Sequence, residues 1–269
     1  MIELPFESRA VVEIVREAGL LALELRGRYT PDIKPDNTLV TQADREIEDL
    51  LRGRLAALAP DWAFLGEETG LEGNPDAPCW VIDPIDGTTN FVRGLPLWCV
   101  SVGAVHRGRA IWGGIAVPLQ NELFSALQGG GAWLEPMLQQ RDGSEQPLRL
   151  RVTDPDVLEQ EHMIGANTTA DRAVDFREIP CRLRNLGSLA YHLTATARGA
   201  LVGALSRQHA LYDIAAGVCL CLEAGCGARH MDGSPWTADV VAQRKPMPLI
   251  VAPPRVLDEL VNKLKLVTT

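Results

Sequence analysis

Residues 80–91, Trp-Val-Ile-Asp-Pro-Ile-Asp-Gly-Thr-Thr-Asn-Phe, combine two carboxylates with a turn rich in amides and hydroxyl groups. An apolar run leads into Asp83, Asp86 follows three residues later, and the segment Gly87–Thr89 comes directly after it. Carboxylates are the ligands that hard divalent cations prefer, and successive backbone amides in a turn can bind phosphate oxygens. The segment therefore predicts metal-assisted phosphate chemistry.

Three more acidic residues lie at the ends of predicted elements, where functional side chains tend to collect. Glu67 follows a short strand, Asp44 closes a capping box that Thr41 opens, and Asp213 begins a later helix. Each has a structural explanation when taken alone, because a carboxylate can cap a helix or lie in solvent. The run 83–89 differs, since a structural turn rarely needs two mutually repelling carboxylates directed at one place. We therefore expect these acidic residues to share one site.

Composition limits the classes of function. The chain has 269 residues, of which 46% are apolar and 23% charged, and its formal net charge is −9. This charge disfavours nucleic acid or an anionic membrane as the main partner, and it would repel a phosphorylated substrate unless bound cations reversed the local sign. No apolar stretch is long enough to span a bilayer, and the acidic N-terminus is unlike a secretion signal. Six cysteines without a Cys-x-x-Cys pair predict free thiols in a reducing cytoplasm and no structural zinc site.

Apolar periodicity and turn residues predict helices and strands mixed along the whole chain. Helices are expected at 8–28, 42–59, 188–199, 213–225 and 254–264. Strands are expected at 62–65, 80–82, 98–106, 110–117, 121–128, 132–135, 148–152, 161–166, 181–186, 200–206 and 247–252, with the four between 98 and 135 forming an antiparallel meander. The polar stretch 136–147 is the expected hinge between an N-terminal lobe, 1–140, and a C-terminal lobe, 141–269. The predicted class is α/β or α+β with layered sheets and helices.

Three segments resemble the signature blocks of the inositol monophosphatase family, within the wider group of magnesium-dependent, lithium-sensitive sugar and nucleotide phosphatases. They are residues 66–68, 80–91 and 212–217, in the family's order and spacing, and the upstream segment 34–44 agrees as well. The resemblance covers nearly the whole chain. It implies a two-lobed, layered α-β-α-β-α sandwich like those of inositol monophosphatase and fructose-1,6-bisphosphatase, with metal ions at the junction of the lobes.

The family's metal ligands carry over to matching positions. The resemblance implies that Glu67, Asp83 and the carbonyl oxygen of Ile85 hold one Mg²⁺ ion. Asp83, Asp86 and Asp213 would hold a second ion, and a third, weaker one would depend on Glu67 and water. Paired cations about 3.5–4 Å apart can bind both the attacking water and the leaving oxygen, so no covalent nucleophile is required.

The remaining catalytic roles also carry over by resemblance. Thr88, hydrogen-bonded toward Asp44, would orient the attacking water. Thr88, Asp44 and Glu67 are the expected catalytic residues. The backbone amides of Gly87 and Thr88 would receive phosphate oxygens, and Thr89 completes the expected phosphate-binding turn. The implied activity is the hydrolysis of a phosphate monoester by direct attack of water.

Substrate choice would depend on the C-terminal lobe, where the match is weaker. Ser188 and Leu189 would line the leaving-group pocket together with Asp86. Ser206 stands seven residues before Asp213, where inositol-specific members resemble one another in carrying a glutamate. The expected substrate is therefore a small phosphorylated metabolite, either inositol monophosphate-like or a sugar phosphate. A sugar bisphosphate, histidinol phosphate or a phosphonucleotide is the alternative.

Further expectations concern partners and class. Arg207 can pair with a second anionic group of a substrate, although a solvated surface arginine is the simpler explanation. The resemblance implies a homodimer and inhibition by lithium. A regulatory protein that keeps the fold without turnover is the alternative class, because some bacterial relatives are linked to transcription or ribosome biogenesis. The presence of every acidic ligand favours the enzyme.

Overall fold

Two sheets and the helices around them are built from residues 4–33, 39–138, 146–241, 244–245 and 248–267, which are the residues that the computed structural model describes. The helices are α1 (Ser8–Leu25), α2 (Gln42–Leu58), α3 (Thr88–Arg93), α4 (Thr168–Ala173), α5 (Leu189–Ala197), α6 (Leu211–Ala224) and α7 (Pro254–Lys263). The strands are β1 (Asp32–Ile33), β2 (Leu39–Val40), β3 (Ala63–Gly66), β4 (Gly70–Glu72), β5 (Cys79–Asp86), β6 (Cys99–His106), β7 (Arg109–Val117), β8 (Glu122–Leu127), β9 (Gly131–Pro136), β10 (Leu148–Leu150), β11 (Met163–Ala166), β12 (Val174–Asp175), β13 (Arg182–Arg184), β14 (Gly203–Ser206), β15 (His209–Ala210), β16 (Gly227–His230), β17 (Arg244–Lys245), β18 (Leu249–Ala252) and β19 (Lys265–Leu266).

The larger sheet has eight strands in the order β10-β9-β8-β7-β6-β5-β3-β4. From β5 to β10 each strand is antiparallel to the next, which confirms the predicted meander, whereas β3 and β5 are parallel. The smaller sheet has the order β13-β11-β14-β18-β16, and its first three strands are parallel. Three short strand pairs, β1–β2, β12–β19 and β15–β17, lie outside these sheets.

Helices and sheets stack in five layers. One face of the larger sheet packs against α1 and α2, and its other face packs against α5 and α6. The smaller sheet contacts α5 and α6 in turn, and its far face is covered by α4 and α7. This is the α-β-α-β-α arrangement that the resemblance implies, so the predicted fold class is confirmed.

Burial on both faces explains the uninterrupted apolar character of the central strands. In β5, Cys79 and Val81 belong to the core shared with α5 and α6, whereas Trp80 and Ile82 belong to the core shared with α1 and α2. All four side chains are fully buried. A strand covered by helices on both sides loses the alternation of polar and apolar residues that marks a half-exposed sheet.

Most predicted elements are found, with small shifts at their ends. The capping box of Thr41 and Asp44 is confirmed at the start of α2, and α1 ends at Leu25, three residues earlier than expected. The short helices α3 and α4 and the strand β16 were not predicted. Residues 34–38 and the central part of the expected hinge, 139–145, lie outside the described residues, as does the predicted lobe boundary. Beyond that boundary, β10 still pairs with β9 of the larger sheet.

All six cysteines fall within the described residues and are free, which confirms the prediction of unpaired thiols. Five of them are buried, and burial raises the pKa of the Cys79 thiol to about 12. Such thiols stay protonated and unreactive at neutral pH. Among the described helices, none combines the length and the apolar character that a membrane span requires.

Small residues allow α6 to lie directly on the larger sheet. A Cβ atom added to Gly113 of β7 would lie 2.5 Å from the carbonyl oxygen of Ala216, and one added to Gly103 of β6 would lie 2.8 Å from Cβ of Ala215. The two glycines therefore set how closely α6 approaches the strands. Since Asp213 lies in the first turn of α6, they also set its distance from β5.

We predict that Gly113→Ala lowers the free energy of unfolding by about 1–3 kcal/mol, because the new methyl group would force helix and sheet apart. Gly53→Ala is the matched control. A Cβ at this exposed position of α2 meets nothing within 4 Å, and alanine should stabilise the helix by about 1 kcal/mol. Urea unfolding measures the free energy of unfolding of both variants. If both substitutions change it equally, the close approach of α6 to Gly113 is contradicted.

Candidate metal centre

An irregularity in β5 brings Asp83 and Asp86 to the same face of the sheet. Residues three apart in a regular strand point to opposite faces. Here Asp83 pairs with Ser101 and Asp86 with Cys99, so three steps along β5 match two steps along β6. The extra residue is a bulge at Pro84 and Ile85, and proline suits it because it has no amide hydrogen to lose from the ladder. Both carboxylates are thereby directed to one side.

Asp83 lies at the centre of the acidic cluster. Its side chain is only 2% exposed, and its Oδ1 has no hydrogen-bond partner among the described residues. Burial raises the pKa of Asp83 well above its usual value, and the charges of Glu67, Asp86 and Asp213 raise it further. A hydrogen bond with the Glu67 side chain acts in the same direction. The structure thus brings together all four acidic residues that the sequence analysis selected as metal ligands.

Asp86 is held by the start of α5. Its Oδ2 accepts a hydrogen bond of 2.8 Å from the Ser188 hydroxyl and another from the backbone amide of Ala190. Burial raises the pKa of Asp86 to about 6, although these two donors oppose the shift. Because Oδ2 accepts two hydrogen bonds from the start of α5, that helix fixes the orientation of the whole carboxylate from the layer between the two sheets.

Asp213 and Asp44 occupy equivalent positions in two different helices. In the first turn of α6, Asp213 accepts a hydrogen bond of 2.7 Å from the Ala210 amide. In the first turn of α2, Asp44 accepts bonds of 2.7 Å from both the amide and the hydroxyl of Thr41, and its side chain is fully buried. Each carboxylate therefore caps its own helix, as its structural explanation requires, and Asp213 also contributes to the charge of the cluster.

The predicted phosphate-binding turn leads into α3. Gly87 has φ 94°, and a Cβ there would lie 3.1 Å from both the Leu97 carbonyl oxygen and Cβ of Ser188, so only glycine fits without strain. The Thr88 hydroxyl donates to the carbonyl oxygen of Ile85 at 3.0 Å, so its proton is directed to Ile85 and not to Asp44.

Two residues that flank the turn differ in exposure: Thr89, in α3, is exposed, whereas Ile85, before the turn, is fully buried. The carbonyl of Ile85, already an acceptor for Thr88, lies in the bulge between the two aspartates. Backbone groups of the bulge and the turn thus line the same end of β5 as the carboxylates.

The predicted pocket residues of the C-terminal lobe are mostly buried. Ser188 is 3% exposed and Leu189 is 8% exposed, with the Leu189 side chain in the core formed with α6. Ser206 is 1% exposed, and its hydroxyl accepts a bond of 2.7 Å from Asn167 and donates one of 3.0 Å to the Gln208 carbonyl oxygen. The only proton of the Ser206 hydroxyl is therefore engaged within the protein, so toward a substrate this buried hydroxyl could act only as an acceptor through its second lone pair.

Two residues that the sequence analysis did not select connect the turn to α5. The Asn90 amide donates to the carbonyl oxygens of Leu97 at 2.6 Å and Leu186 at 2.8 Å. His192, in α5, accepts a bond of 2.9 Å from the Leu186 amide through Nε2. Only an unprotonated ring nitrogen can accept, so this bond requires neutral His192. The position of Asn90 directly after the acidic motif could have indicated its role from the sequence, whereas no sequence pattern indicates the role of His192.

The described His, Cys, Asp and Glu side chains nowhere form a group of three or more that is already arranged around a metal position. What the site offers is a set of neighbouring carboxylates, one of them buried with an unpartnered oxygen. A cation placed among them would offset both the burial of charge and the like-charge repulsion. The oxygen-only donor set suits a hard divalent cation.

Comparisons with known proteins agree with this layered fold. Residues 8–265 match the model of the inositol monophosphatase family. The chain therefore belongs to that family, which confirms the resemblance. It is 33% identical over 205 residues to an inositol-1-monophosphatase of Mesorhizobium japonicum, a match that covers 75% of each protein.

Other relatives extend the match along the chain. Nus factor SuhB of Pasteurella multocida is 30% identical over 265 residues, and the alignment covers 94% of each protein. Among solved structures, SuhB of Mycobacterium tuberculosis superposes with a TM-score of 0.72 at 29% identity, covering 95% of this chain and 93% of that one. The IMPase of Thermotoga maritima gives a TM-score of 0.76 at 26% identity, with 94% of each chain covered.

The environment of His192 predicts a pH dependence of stability. Burial lowers the pKa of His192 to about 4, whereas an unfolded histidine titrates near 6.5. Between these values the unfolded chain binds the extra proton, so stability falls as the pH is lowered from 7. We predict that the wild type loses about 2 kcal/mol more unfolding free energy than His192→Gln between about pH 7 and 5.

Urea unfolding of both proteins in EDTA measures this difference. Glutamine can accept from the Leu186 amide without titrating, so the remaining groups of the site cancel between the two proteins. Equal losses in the two proteins would mean that folded His192 takes up its proton normally.

Proposed function

We propose that this protein is a magnesium-dependent phosphomonoesterase that hydrolyses a small phosphorylated metabolite by direct attack of water. The observation that carries the proposal is the bulge in β5, which directs Asp83 and Asp86 to one face beside Glu67 and Asp213. Family membership supports it, because relatives of the chain are named as inositol monophosphatases.

The proposed metal ligands are those of the acidic cluster. One Mg²⁺ ion would be held by Glu67, Asp83 and the Ile85 carbonyl oxygen, and a second by Asp83, Asp86 and Asp213. A third ion would be bound through Glu67. The side chains would have to rotate to bring their oxygens into coordination, because the described carboxylates are not already grouped around a metal position. Bound Mg²⁺ supplies Lewis acidity and neutralises negative charge on the phosphate. The unpartnered Oδ1 of Asp83 is the ligand atom that most needs this charge.

The chain's own groups would orient water and phosphate. The Thr88 hydroxyl would turn from Ile85 toward Asp44 and so direct a lone pair of the attacking water at phosphorus. Thr89 and the amides of Gly87 and Thr88 would bind phosphate oxygens, an arrangement that the left-handed Gly87 supports by turning the chain at the end of β5. The hydrogen bonds from Asn90 to the carbonyl oxygens of Leu97 and Leu186 would keep this turn in place before substrate arrives.

For the substrate, we propose a metabolite whose recognition does not depend on Ser206. Its hydroxyl is engaged by Asn167 and Gln208, so the charged acceptor of inositol-specific relatives has no equivalent here. Ser188 and Leu189 would act through their positions around Asp86, and Arg207 is the candidate for binding a second anionic group. Sugar bisphosphates and phosphonucleotides therefore stand beside inositol monophosphate as candidates. A homodimer and sensitivity to lithium are proposals from the resemblance, and a cytoplasmic location is a proposal from the unpaired cysteines.

A regulatory role is the second candidate, because the match to Nus factor SuhB of Pasteurella multocida covers 94% of both proteins. The two candidates are not exclusive of each other. Phosphate release from monoesters with and without Mg²⁺ separates an enzyme from a protein that only keeps the fold.

We predict that Asp83→Asn lowers kcat by more than about 100-fold at saturating Mg²⁺, because loss of supporting residues alone costs about 10- to 100-fold in metal sites. The same change should raise the stability of the metal-free protein, since it removes a buried charge from among like charges. Asp61→Asn, on the surface, is the control for charge. Near wild-type turnover of Asp83→Asn would exclude Asp83 as a ligand.

A substrate panel tests the second half of the proposal. We predict that kcat/KM for inositol 1-phosphate is less than about tenfold higher than kcat/KM for fructose 1,6-bisphosphate, histidinol phosphate or 3′-phosphoadenosine 5′-phosphate. The reason is that the glutamate acceptor for ring hydroxyls is missing, and the loss of such an acceptor lowers discrimination between substrates by at least about tenfold. Arg207→Gln should lower the values for the two bisphosphorylated compounds selectively. A clear preference for inositol 1-phosphate would show that Ser206 does not limit recognition.

A further inference from the structure

Glu48 of α2 holds the turn that carries Glu67. Its side chain is 1% exposed, and its two oxygens accept hydrogen bonds from the Glu68 amide at 3.0 Å, the Thr69 amide at 3.1 Å and the Thr69 hydroxyl. A carboxylate with three donors is well satisfied in the interior. Glu48 is not among the proposed metal ligands.

The neighbouring residues are shaped around this carboxylate. A Cβ atom added to Gly66 would overlap Oε1 of Glu48, so any larger residue directly before Glu67 would displace this carboxylate. On the other side, the Glu67 amide donates to the Ile82 carbonyl oxygen at 3.1 Å. The amides of three successive residues are thus fixed, one by β5 and two by Glu48.

One face of α2 carries both the residues that hold this turn and the proposed water-orienting Asp44. Asp44, Glu48 and Arg52 are four residues apart, which places them in a row on the helix surface. Arg52 donates to the Thr69 hydroxyl at 3.0 Å and pairs with Glu72 of β4. The row therefore runs from the proposed water-orienting Asp44, through Glu48, to the end of the turn.

We propose that Glu48 is a positioning residue for the metal centre: by holding the amides of Glu68 and Thr69, it fixes the backbone from which Glu67 reaches the cation. The proposal rests on the proposed function of Glu67. Because the backbone on both sides of Glu67 is restrained, only side-chain torsions remain to be ordered when a cation binds, which keeps the entropic cost of binding low.

The informative change is Glu48→Gln. Glutamine keeps the size of the side chain, but its NH₂ group would face an amide N–H where an oxygen is needed, and this would release one side of the turn. We expect the half-saturating Mg²⁺ concentration to rise by about 10- to 100-fold, as for other residues that orient metal ligands. At saturating Mg²⁺ the KM for p-nitrophenyl phosphate should change by less than about threefold, since the phosphate-binding turn is untouched.

Asp49→Asn is the matched control, because it removes the same charge from the next, exposed residue of α2. Mg²⁺ binding is also measured by isothermal titration calorimetry, without substrate. A Glu48→Gln protein whose Mg²⁺ affinity stays within about twofold of Asp49→Asn, with only its melting temperature lowered, has lost structure alone, and that result overturns the proposal.

Thr69→Val serves if Glu48→Gln does not fold, since it removes a single donor to Glu48 from an exposed residue. It should raise the half-saturating Mg²⁺ concentration at least about threefold over Thr69→Ser, which keeps the hydroxyl. Equal values for the two would also overturn the proposal.

The two proposals fail in different ways. If the wild type releases no phosphate from any monoester, the phosphatase assignment fails, while calorimetry with Mg²⁺ still decides the role of Glu48. If the wild type is active and Glu48→Gln binds Mg²⁺ as Asp49→Asn does, the phosphatase assignment stands and the positioning role is excluded.

Discussion

Repulsion among buried carboxylates is the constraint on which the arrangement of this molecule depends. At an effective dielectric constant of about 20, two unit negative charges about 4 Å apart repel each other by about 4 kcal/mol. Asp83 is almost fully buried, and its raised pKa reflects this burial first and the charges of Glu67, Asp86 and Asp213 second. Elements of three layers, namely α2, strand β5 of the larger sheet and the pair α5 and α6, therefore contribute to holding groups that would otherwise separate or take up protons.

Helix starts supply part of the compensation. The first turn of α2 donates to Asp44, the first turn of α5 donates to Asp86, and the first turn of α6 contains Asp213 bonded to the amide of Ala210. A helix N-terminus is worth about 0.3–1 kcal/mol to an exposed anion and up to about 2 kcal/mol when partly buried. These gains are smaller than the repulsion, so the cluster must either take up protons, as the raised pKa of Asp83 indicates, or bind a cation that balances the charge.

The supporting residues connect the larger sheet to the helical layer that lies between the two sheets. Asn90 connects the turn after β5 to the segment before α5, and His192 holds that segment from within α5. Ser188, which follows that segment, donates a hydrogen bond to Asp86. Displacing α5 would therefore reorient a carboxylate on β5, and the packing of α5 and α6 between the sheets restrains this displacement.

Much of the site was accessible from sequence because its residues are close together in the chain or follow clear element ends. The run from Asp83 to Thr89, the capping box of Asp44 and the first turn of α6 are local signals. Glu48 was missed even though its four-residue spacing from Asp44 indicates a shared helix face, since a lone glutamate in a helix is usually solvated. The helix α3 was missed because its first turn combines two β-branched threonines with a preceding glycine.

By itself, the sequence determined the mixed fold class, the antiparallel meander, the free thiols and the acidic residue types that make divalent metal chemistry the leading hypothesis. These follow from periodicity and from short-range spacing, which act within a few residues. Only the tertiary structure decided that the bulge turns Asp83 and Asp86 to the same face, that Ser188 serves Asp86, and that the Ser206 hydroxyl is engaged internally. Strand register and hydrogen bonds between residues about a hundred positions apart depend on how layers pack, and no local pattern encodes them.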